Sequence, residues 1–193
     1  MMLRKLLCLV CSLLATSVFA TPREVVLIRH ADALSHDQVS IGLSAKGQVR
    51  AQNFALYLLN TFGKPDVIIS SKPLDDNSSD SSMRELQTVA PLANYLAEQF
   101  PDDRPEKDFP VLYKFSKDSW KSMVRKLIKD DDFENKLVVI CWDRKKMDNI
   151  ARALGSPNHS SPTSEEFDTV WDIKFDQEGH VVDFQVLKDQ YPV

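Results

Sequence analysis

Cysteine and glycine are scarce in this chain, and each scarcity excludes a class of structure. Three of the 193 residues are cysteine, and two of them, Cys8 and Cys11, lie in the apolar N-terminal segment. Without that segment only Cys141 remains, so no internal disulfide can form and the fold must depend on its hydrophobic core. Five glycines are present, and no glycine-rich phosphate-binding loop, Gly-x-Ser-x-Gly elbow or zinc-spaced set of ligands appears.

An excess of basic residues is also missing. The 24 lysines and arginines are outnumbered by 28 acidic residues, which gives a net charge of −4 and argues against nucleic acid as a partner. The length allows one domain with its own core and is too short for two comfortable ones.

No apolar run is long enough for a membrane-spanning helix. Residues 1–20 contain Arg4 and Lys5, an apolar run at 6–18, and the small-residue ending Val-Phe-Ala, which is the pattern of a secretory signal peptide. A retained membrane anchor is the weaker alternative, because a spanning helix needs about 20 apolar residues. We predict cleavage after Ala20, a periplasmic or secreted location without membrane contact, and a mature domain of residues 21–193 with a net charge of −6.

The hydrophobic pattern predicts a single three-layer α/β domain, with helices on both faces of a mostly parallel sheet. Buried-strand patterns occur at residues 25–28, 65–71, 111–115 and 137–142, and helical apolar stripes at 45–62, 84–100, 120–128 and 147–154. Because strands and helices alternate, right-handed crossovers and parallel strand pairs are expected. Two alternating segments, 169–175 and 181–187, predict an antiparallel hairpin at one sheet edge, and residues 72–82 predict a mobile surface loop.

Several residues predict where the helices begin and end. Ser44 and Ser119 are candidate N-caps, and Gly63 and Gly155 are candidate stops. Pro91 belongs in a first turn or at a kink, which leaves the start of the second helix open.

The first buried strand ends abruptly at Arg29 and His30. In an open α/β sheet, ligands bind just beyond the carboxyl ends of the strands. An arginine and a histidine at that edge offer an anion clamp beside a titratable nitrogen nucleophile.

Three blocks of the sequence resemble the histidine phosphatase (phosphoglycerate mutase-like) superfamily. The first block is Arg-His-Ala-Asp at residues 29–32 with Leu-Ser-Ala-Lys-Gly-Gln at 43–48. The second is residues 68–71 followed by Arg84, Gln87 and Thr88. The third, Val-Val-Ile-Cys-Trp-Asp-Arg at 138–144 with residues 147–155, is similar to one exported-type branch. With the tail at 167–171, the resemblance covers nearly the whole mature chain.

The resemblance implies a phosphatase without cofactor or metal that hydrolyses a small phosphomonoester. His30 would be the nucleophile that takes the phosphoryl group, which splits one difficult displacement into two easier ones. Arg29 and Arg84 would neutralise the phosphoryl oxygens, and Arg84 at a helix start would add backbone donors.

One departure from the family pattern affects the chemistry. Arg144 stands where the family has its second catalytic histidine, so we place Arg144 among the catalytic and phosphate-binding residues. Arginine binds phosphate but cannot exchange protons near neutral pH. A second hypothesis is therefore a degenerate member that binds phosphorylated ligands or a protein partner without turnover, and a third is a scaffold with no anion site.

The general acid is open among Asp32, Glu85 and Asp143, with Asp143 favoured because it lies at the mouth of a strand. Salt bridges to neighbouring arginines are the alternative for each. The other histidines, His36, His159 and His180, lie in polar segments and are expected to be solvated, and His159 is the one conceivable replacement for the missing histidine. A cysteine phosphatase is excluded, since Met147 and not arginine stands six positions after Cys141.

Overall fold

Strands and helices alternate along the part of the chain that the computed structural model describes, residues 21–34, 41–73, 82–100 and 111–193. The strands are Glu24–Arg29 (β1), Val67–Ser71 (β2), Val111–Phe115 (β3), Leu137–Trp142 (β4), Val170–Phe175 (β5) and Val181–Leu187 (β6). The helices are Ala45–Thr61 (α1), Arg84–Gln99 (α2), Trp120–Leu127 (α3) and Arg144–Ala153 (α4). The predicted signal peptide, His36 and most of the predicted loop at 72–82 lie outside the described residues. Within the described ranges, no helix combines the length and apolar character needed to cross a membrane.

The described strands form one six-stranded sheet in the order β3-β2-β4-β1-β5-β6. Strands β1 to β4 are parallel, and β5 is antiparallel both to β1 and to the edge strand β6. This arrangement confirms the predicted α/β fold with its C-terminal hairpin. In the pairing of β1 with β4, Arg29 lies opposite Trp142, so the chain leaves both strands side by side at the same carboxyl edge.

Helices cover both faces of the sheet because side chains along a strand point alternately to opposite faces. In β1, Val25 and Leu27 belong to the core between the sheet and helices α3 and α4. Val26 and Ile28 belong to the core between the sheet and helices α1 and α2. Each such fully buried aliphatic side chain contributes about 1.5–3 kcal/mol. The central strand is thus fixed from both faces, which makes its carboxyl end a rigid position for functional residues.

The predicted helix ends agree in part with the structure. The side chain of Ser44 caps α1 by accepting a hydrogen bond from the Gly47 amide at 3.0 Å. Gly63 and Gly155 follow α1 and α4 with φ of 83° and 97°, a left-handed conformation that favours glycine.

One predicted helix start, that of α4, was wrong, and Ser119 and Pro91 differ in part from their predicted roles although α3 and α2 begin where the sequence predicted. Ser119 makes no capping hydrogen bond, because it belongs to a short 3₁₀ turn, Lys117–Ser119, that precedes α3. Helix α4 begins at Arg144 and not at Met147, because the Asp143 carboxylate caps it by accepting a hydrogen bond from the Lys145 amide. Pro91 lies inside α2 and not in its first turn.

Candidate functional site

His30 lies directly after β1, and hydrogen bonds tie this strand end to the first turn of α2. The amide of Ala31 donates to Oγ1 of Thr88 at 2.9 Å, and the Thr88 hydroxyl donates to the carbonyl oxygen of Arg84 at 2.7 Å. These bonds hold Arg84, the first residue of α2, close to His30, although the two are far apart in sequence.

The His30 ring is buried, with 8% of its surface exposed, and it is oriented by its own strand end. Its Nδ1 lies 2.7 Å from the carbonyl oxygen of Ala31, and a carbonyl can only accept, so Nδ1 carries the hydrogen. Burial lowers the pKa of His30 and the charges of Arg29 and Arg84 lower it further, against the opposing effects of Glu85 and the Ala31 hydrogen bond. Near neutral pH the ring is therefore neutral, and Nε2 holds the lone pair that a nucleophile needs.

Arg29 is buried and partly held by the loop that precedes β5. Its Nη1 donates to the carbonyl oxygens of Thr163, Ser164 and Glu166 at 2.9, 2.9 and 3.3 Å. The guanidinium carbon lies 3.9 Å from the centre of the Phe167 ring, which adds a cation–π contact. The Nε of Arg29 is buried without a hydrogen-bond partner among the described residues. The loop thus orients the guanidinium and leaves part of its donor capacity unused.

Arg84 has a similar unused donor at the start of α2. Its Nε is buried and has no hydrogen-bond partner in the described part of the chain. Met83, at the N-cap position of α2, provides no side-chain acceptor for the first turn. A cationic side chain and a helix N-terminus without a side-chain cap both favour an anion at this position.

Arg144 and Asp143 enter the site from the start of α4. Nη1 of Arg144 donates to the carbonyl oxygen of Pro162 at 3.1 Å, in the same loop that holds Arg29. Burial, and next the charge of Arg144, lower the pKa of Arg29 to about 10, and Asp143 opposes this. The structure therefore brings the five residues that we predicted as catalytic to one edge of the sheet.

Two of the three acid candidates are held in ion pairs. Asp32 lies 2.5 Å from Nε of Arg50, and although burial alone would raise its pKa, this contact lowers the pKa below its ordinary value. Glu85 lies 3.0 Å from Nζ of Lys117. The predicted alternative, a salt bridge to an arginine, is therefore seen for Asp32, whereas the partner of Glu85 is a lysine. Asp143 has no ion pair within 4.0 Å among the residues described, and its carboxylate caps α4 instead.

The segment between β1 and α1 packs closely, which explains the Leu-Ser-x-x-Gly pattern. A Cβ atom on Gly47 would lie 2.1 Å from the carbonyl oxygen of Asp32, so only glycine fits there. The Ser44 amide donates to the same oxygen at 2.9 Å, and the Leu43 amide donates to Oε1 of Gln87 at 2.8 Å. These contacts hold the residues after His30 against α1 and α2.

His159 does not lie at the site. Its exposed ring contacts Trp171 and Phe184, with ring centres 5.6 Å from each, and no described contact joins it to His30. His180 lies in the β5–β6 turn beside Asp176. Neither therefore takes the position that the resemblance would give to a second histidine.

Sequence reasoning missed three residues near the site. Lys117 follows β3 at the carboxyl edge of the sheet, and this position after a predicted strand is what could have indicated a site residue from the sequence. Arg50 lies one helical turn after Gly47 and pairs with both Asp32 and Asp168, the second at 2.9 Å. Phe167 belongs to the tail that carried the resemblance, but its contact with Arg29 depends on the tertiary fold.

Comparison with known proteins identifies the fold. No protein-family model matches the sequence, and no curated protein matches it. Among solved structures, phosphoglycerate mutase from Plasmodium falciparum superposes with a TM-score of 0.51 at 14% identity, over 88% of this chain and 92% of that chain. The protein histidine phosphatase SixA in complex with tungstate gives a TM-score of 0.50 at 11% identity, over 86% and 96% of the two chains. At these identities the likeness shows a shared fold.

Proposed function

We propose that this chain, whose fold is that of the histidine phosphatase superfamily, hydrolyses a small phosphomonoester through a phosphohistidine on His30. The strongest support is a neutral imidazole flanked by two guanidinium groups with unused donors. The Nε atoms of Arg29 and Arg84 are buried without partners among the described residues. Because buried donors in native proteins are nearly always paired, a bound oxyanion is the natural partner for both.

In the first step Nε2 of His30 attacks phosphorus, an N–P bond forms, and the P–O ester bond breaks. The electron pair leaves with the ester oxygen, which takes a proton to become the alcohol. We assign the proton to Asp143, because the carboxylates of Asp32 and Glu85 are engaged in ion pairs whereas Asp143 is half-buried at the mouth of the site. In its protonated form it donates to the leaving oxygen.

In the second step water attacks phosphorus, the N–P bond breaks, and its electron pair returns to Nε2 of His30. Asp143 takes a proton from the attacking water, so the enzyme is restored and the products are an alcohol and inorganic phosphate. Arg29, Arg84 and Arg144 stabilise the charge on the equatorial oxygens in both steps.

A phosphatase assay with a generic aryl phosphate tests this proposal on the purified mature chain. His30→Ala should abolish turnover, and acid-labile phosphate should be trapped on the wild-type protein but not on this variant. His159→Ala, an exposed histidine remote from the site, is the matched control and should retain full activity. Absence of wild-type turnover, or activity that survives in His30→Ala, would contradict the proposal.

A second candidate function is binding of a phosphorylated ligand without turnover. It is favoured by Arg144 in place of the second histidine and by the loop carbonyls that engage Arg144 and Arg29. It predicts negligible turnover together with phosphate binding that weakens in Arg84→Ala, measured by titration calorimetry. A chain that neither binds nor hydrolyses phosphate would instead fit a scaffold without an anion site.

We also propose that the protein is exported and that residues 1–20 are removed. The support is the charged start, the apolar run and the small-residue ending of that segment. Mass spectrometry of the native protein should find Thr21 at the N-terminus. A cytosolic species that retains Met1 would contradict this location.

A further inference from the structure

A buried charged pair lies at the first turn of α2, one residue after Arg84, and the chemistry proposed above does not use it. Oε1 of Glu85 is 3.0 Å from Nζ of Lys117, and the hydroxyl of Ser82 donates to Oε2 of Glu85 at 2.8 Å. Lys117 in turn donates to the Ser82 hydroxyl oxygen at 3.1 Å. Each of the three side chains therefore contacts the other two in a closed arrangement.

Burial of this pair is costly, which indicates a purpose other than stability. Glu85 is 1% exposed and Lys117 is 6% exposed. Removing two charges from water costs several kcal/mol per ion, and apolar residues of similar size often serve stability as well or better. A buried pair that directly follows a proposed phosphate-binding arginine is therefore a candidate for a role in the chemistry of the site.

The pair is anchored to the strand ends that form the site. Lys117 lies in the turn after β3, and its carbonyl oxygen accepts a hydrogen bond from Nε1 of Trp142 at 3.1 Å. Trp142 ends β4 and lies opposite Arg29. Burial raises the pKa of the Cys141 thiol, Glu85 raises it further, and Lys117 opposes this. These contacts place the pair between α2, the turn after β3 and the end of β4.

Charges from two elements act on the His30 ring. Burial disfavours the cationic ring most strongly, and Arg29 of β1 and Arg84 of α2 disfavour it as well. Glu85 of α2 is the strongest of the charges that act on the ring, and it favours the cation. When Nε2 bonds to phosphorus, the ring keeps its hydrogen on Nδ1 and acquires positive charge. The two arginines oppose that change, so a negative charge is needed nearby.

We propose that Glu85 and Lys117 form a positioning pair for His30, in which the Glu85 carboxylate compensates the positive charge of the phosphorylated ring and Lys117 holds that carboxylate in place. The inference rests on the proposed phosphatase function. It is comparable to the aspartate of a catalytic triad, which stabilises an imidazolium without reacting itself. Because Lys117 pairs with the same carboxylate, it limits how strongly Glu85 favours the cationic ring before phosphorylation.

Titration of the His30 ring by NMR tests the pair without substrate, so it does not depend on turnover. The chain has four histidines, and His30→Ala identifies the signal of interest. In Glu85→Gln the midpoint of the His30 titration should move to lower pH by about one pH unit, because one nearby negative charge is lost. In Lys117→Met it should move to higher pH by a similar amount, and Lys117→Arg should restore the wild-type midpoint.

Kinetics supply a second readout on the same variants. Glu85→Gln should slow phosphohistidine formation about tenfold, with unchanged or tighter phosphate binding, because the site becomes more positive. Glu134→Gln and Lys121→Met, which make the same exchanges at exposed positions, are the matched controls and should behave like the wild type. Thermal unfolding of each variant separates a folding defect from an electrostatic effect.

The outcomes separate this inference from the proposed function. An unmoved His30 titration in Glu85→Gln overturns the role of the pair, even if the chain is a phosphatase. A Lys117→Met titration that stays level or moves to lower pH overturns the role of Lys117. Opposite shifts in a chain without turnover would support the pair and refute the phosphatase proposal alone.

Discussion

Replacement of Arg144 by histidine separates the two candidate functions. Arg144→His restores the imidazole that the family pattern has at this position and removes one cation from the site. In the structure Arg144 is the first residue of α4, donates to the carbonyl oxygen of Pro162, and lowers the pKa of Arg29 by its charge. The substitution therefore changes a donor, a loop contact and the electrostatics of Arg29 together.

The effect on stability should be small. Loss of the hydrogen bond to Pro162 costs about 0.5–1.5 kcal/mol. Removal of a cation from the N-terminus of α4 regains about 0.3–1 kcal/mol, because the helix dipole disfavours positive charge there. Relief of the repulsion between Arg144 and Arg29 acts in the same direction. The free energy of unfolding should therefore change by less than about 1 kcal/mol.

The effect on turnover should be much larger. A well-placed oxyanion donor contributes about 10²–10³ in kcat, so a chain that lost activity through this position alone should gain about 10²-fold. Phosphate affinity should stay level or fall slightly, since a mostly neutral ring replaces a permanent cation.

Steady-state kinetics with an aryl phosphate, phosphate calorimetry and urea unfolding of both proteins check these values. Arg152→His makes the same exchange at an exposed arginine in the last turn of α4, and it controls for the general effect of replacing an arginine by a histidine on this helix. If Arg144 already serves turnover in the wild type, Arg144→His should lower activity, and the missing-histidine reasoning would be refuted. Equal turnover in both proteins would show that this position takes no part in the reaction.

Two further predictions concern the packing that holds His30. Gly47→Ala should destabilise the fold by about 1–3 kcal/mol, because the added Cβ would lie 2.1 Å from the Asp32 carbonyl oxygen. Gly63→Ala is the comparison: its added Cβ would contact no other atom, so only the strain of its backbone, at φ 83°, is tested. Arg50→Met should cost about 3–5 kcal/mol in urea unfolding at pH 7, because it leaves Asp32 and Asp168 without their shared cation. The lowered pKa of Asp32 means that its stabilisation is present above its ordinary pKa and is lost as pH falls through the folded value, so the difference between wild type and Arg50→Met should shrink below about pH 4. A difference that stays constant down to pH 2 would contradict this pairing.

Local patterns in the sequence determined the elements and their order. The apolar run before Arg29 predicted β1, Ser44 predicted the start of α1, and Gly155 predicted the end of α4, all in agreement with the structure. Hydrophobic periodicity, capping hydrogen bonds and left-handed glycines depend on a few neighbouring residues, which is why they can be read from the chain alone. Where the Asp143 cap was overlooked, the predicted start of α4 was wrong.

The tertiary structure alone decided which partner each polar side chain has. The register of β1 against β4 places Arg144 near Arg29. Carbonyl oxygens of the loop before β5 accept hydrogen bonds from Nη1 of Arg29, and the turn after β3 places Lys117 in contact with Glu85. Each of these contacts joins residues that lie far apart in the sequence and have no pattern in common. Burial and the distances between charges exist only once the chain is folded, and they set the protonation of His30 and the availability of the arginines around it.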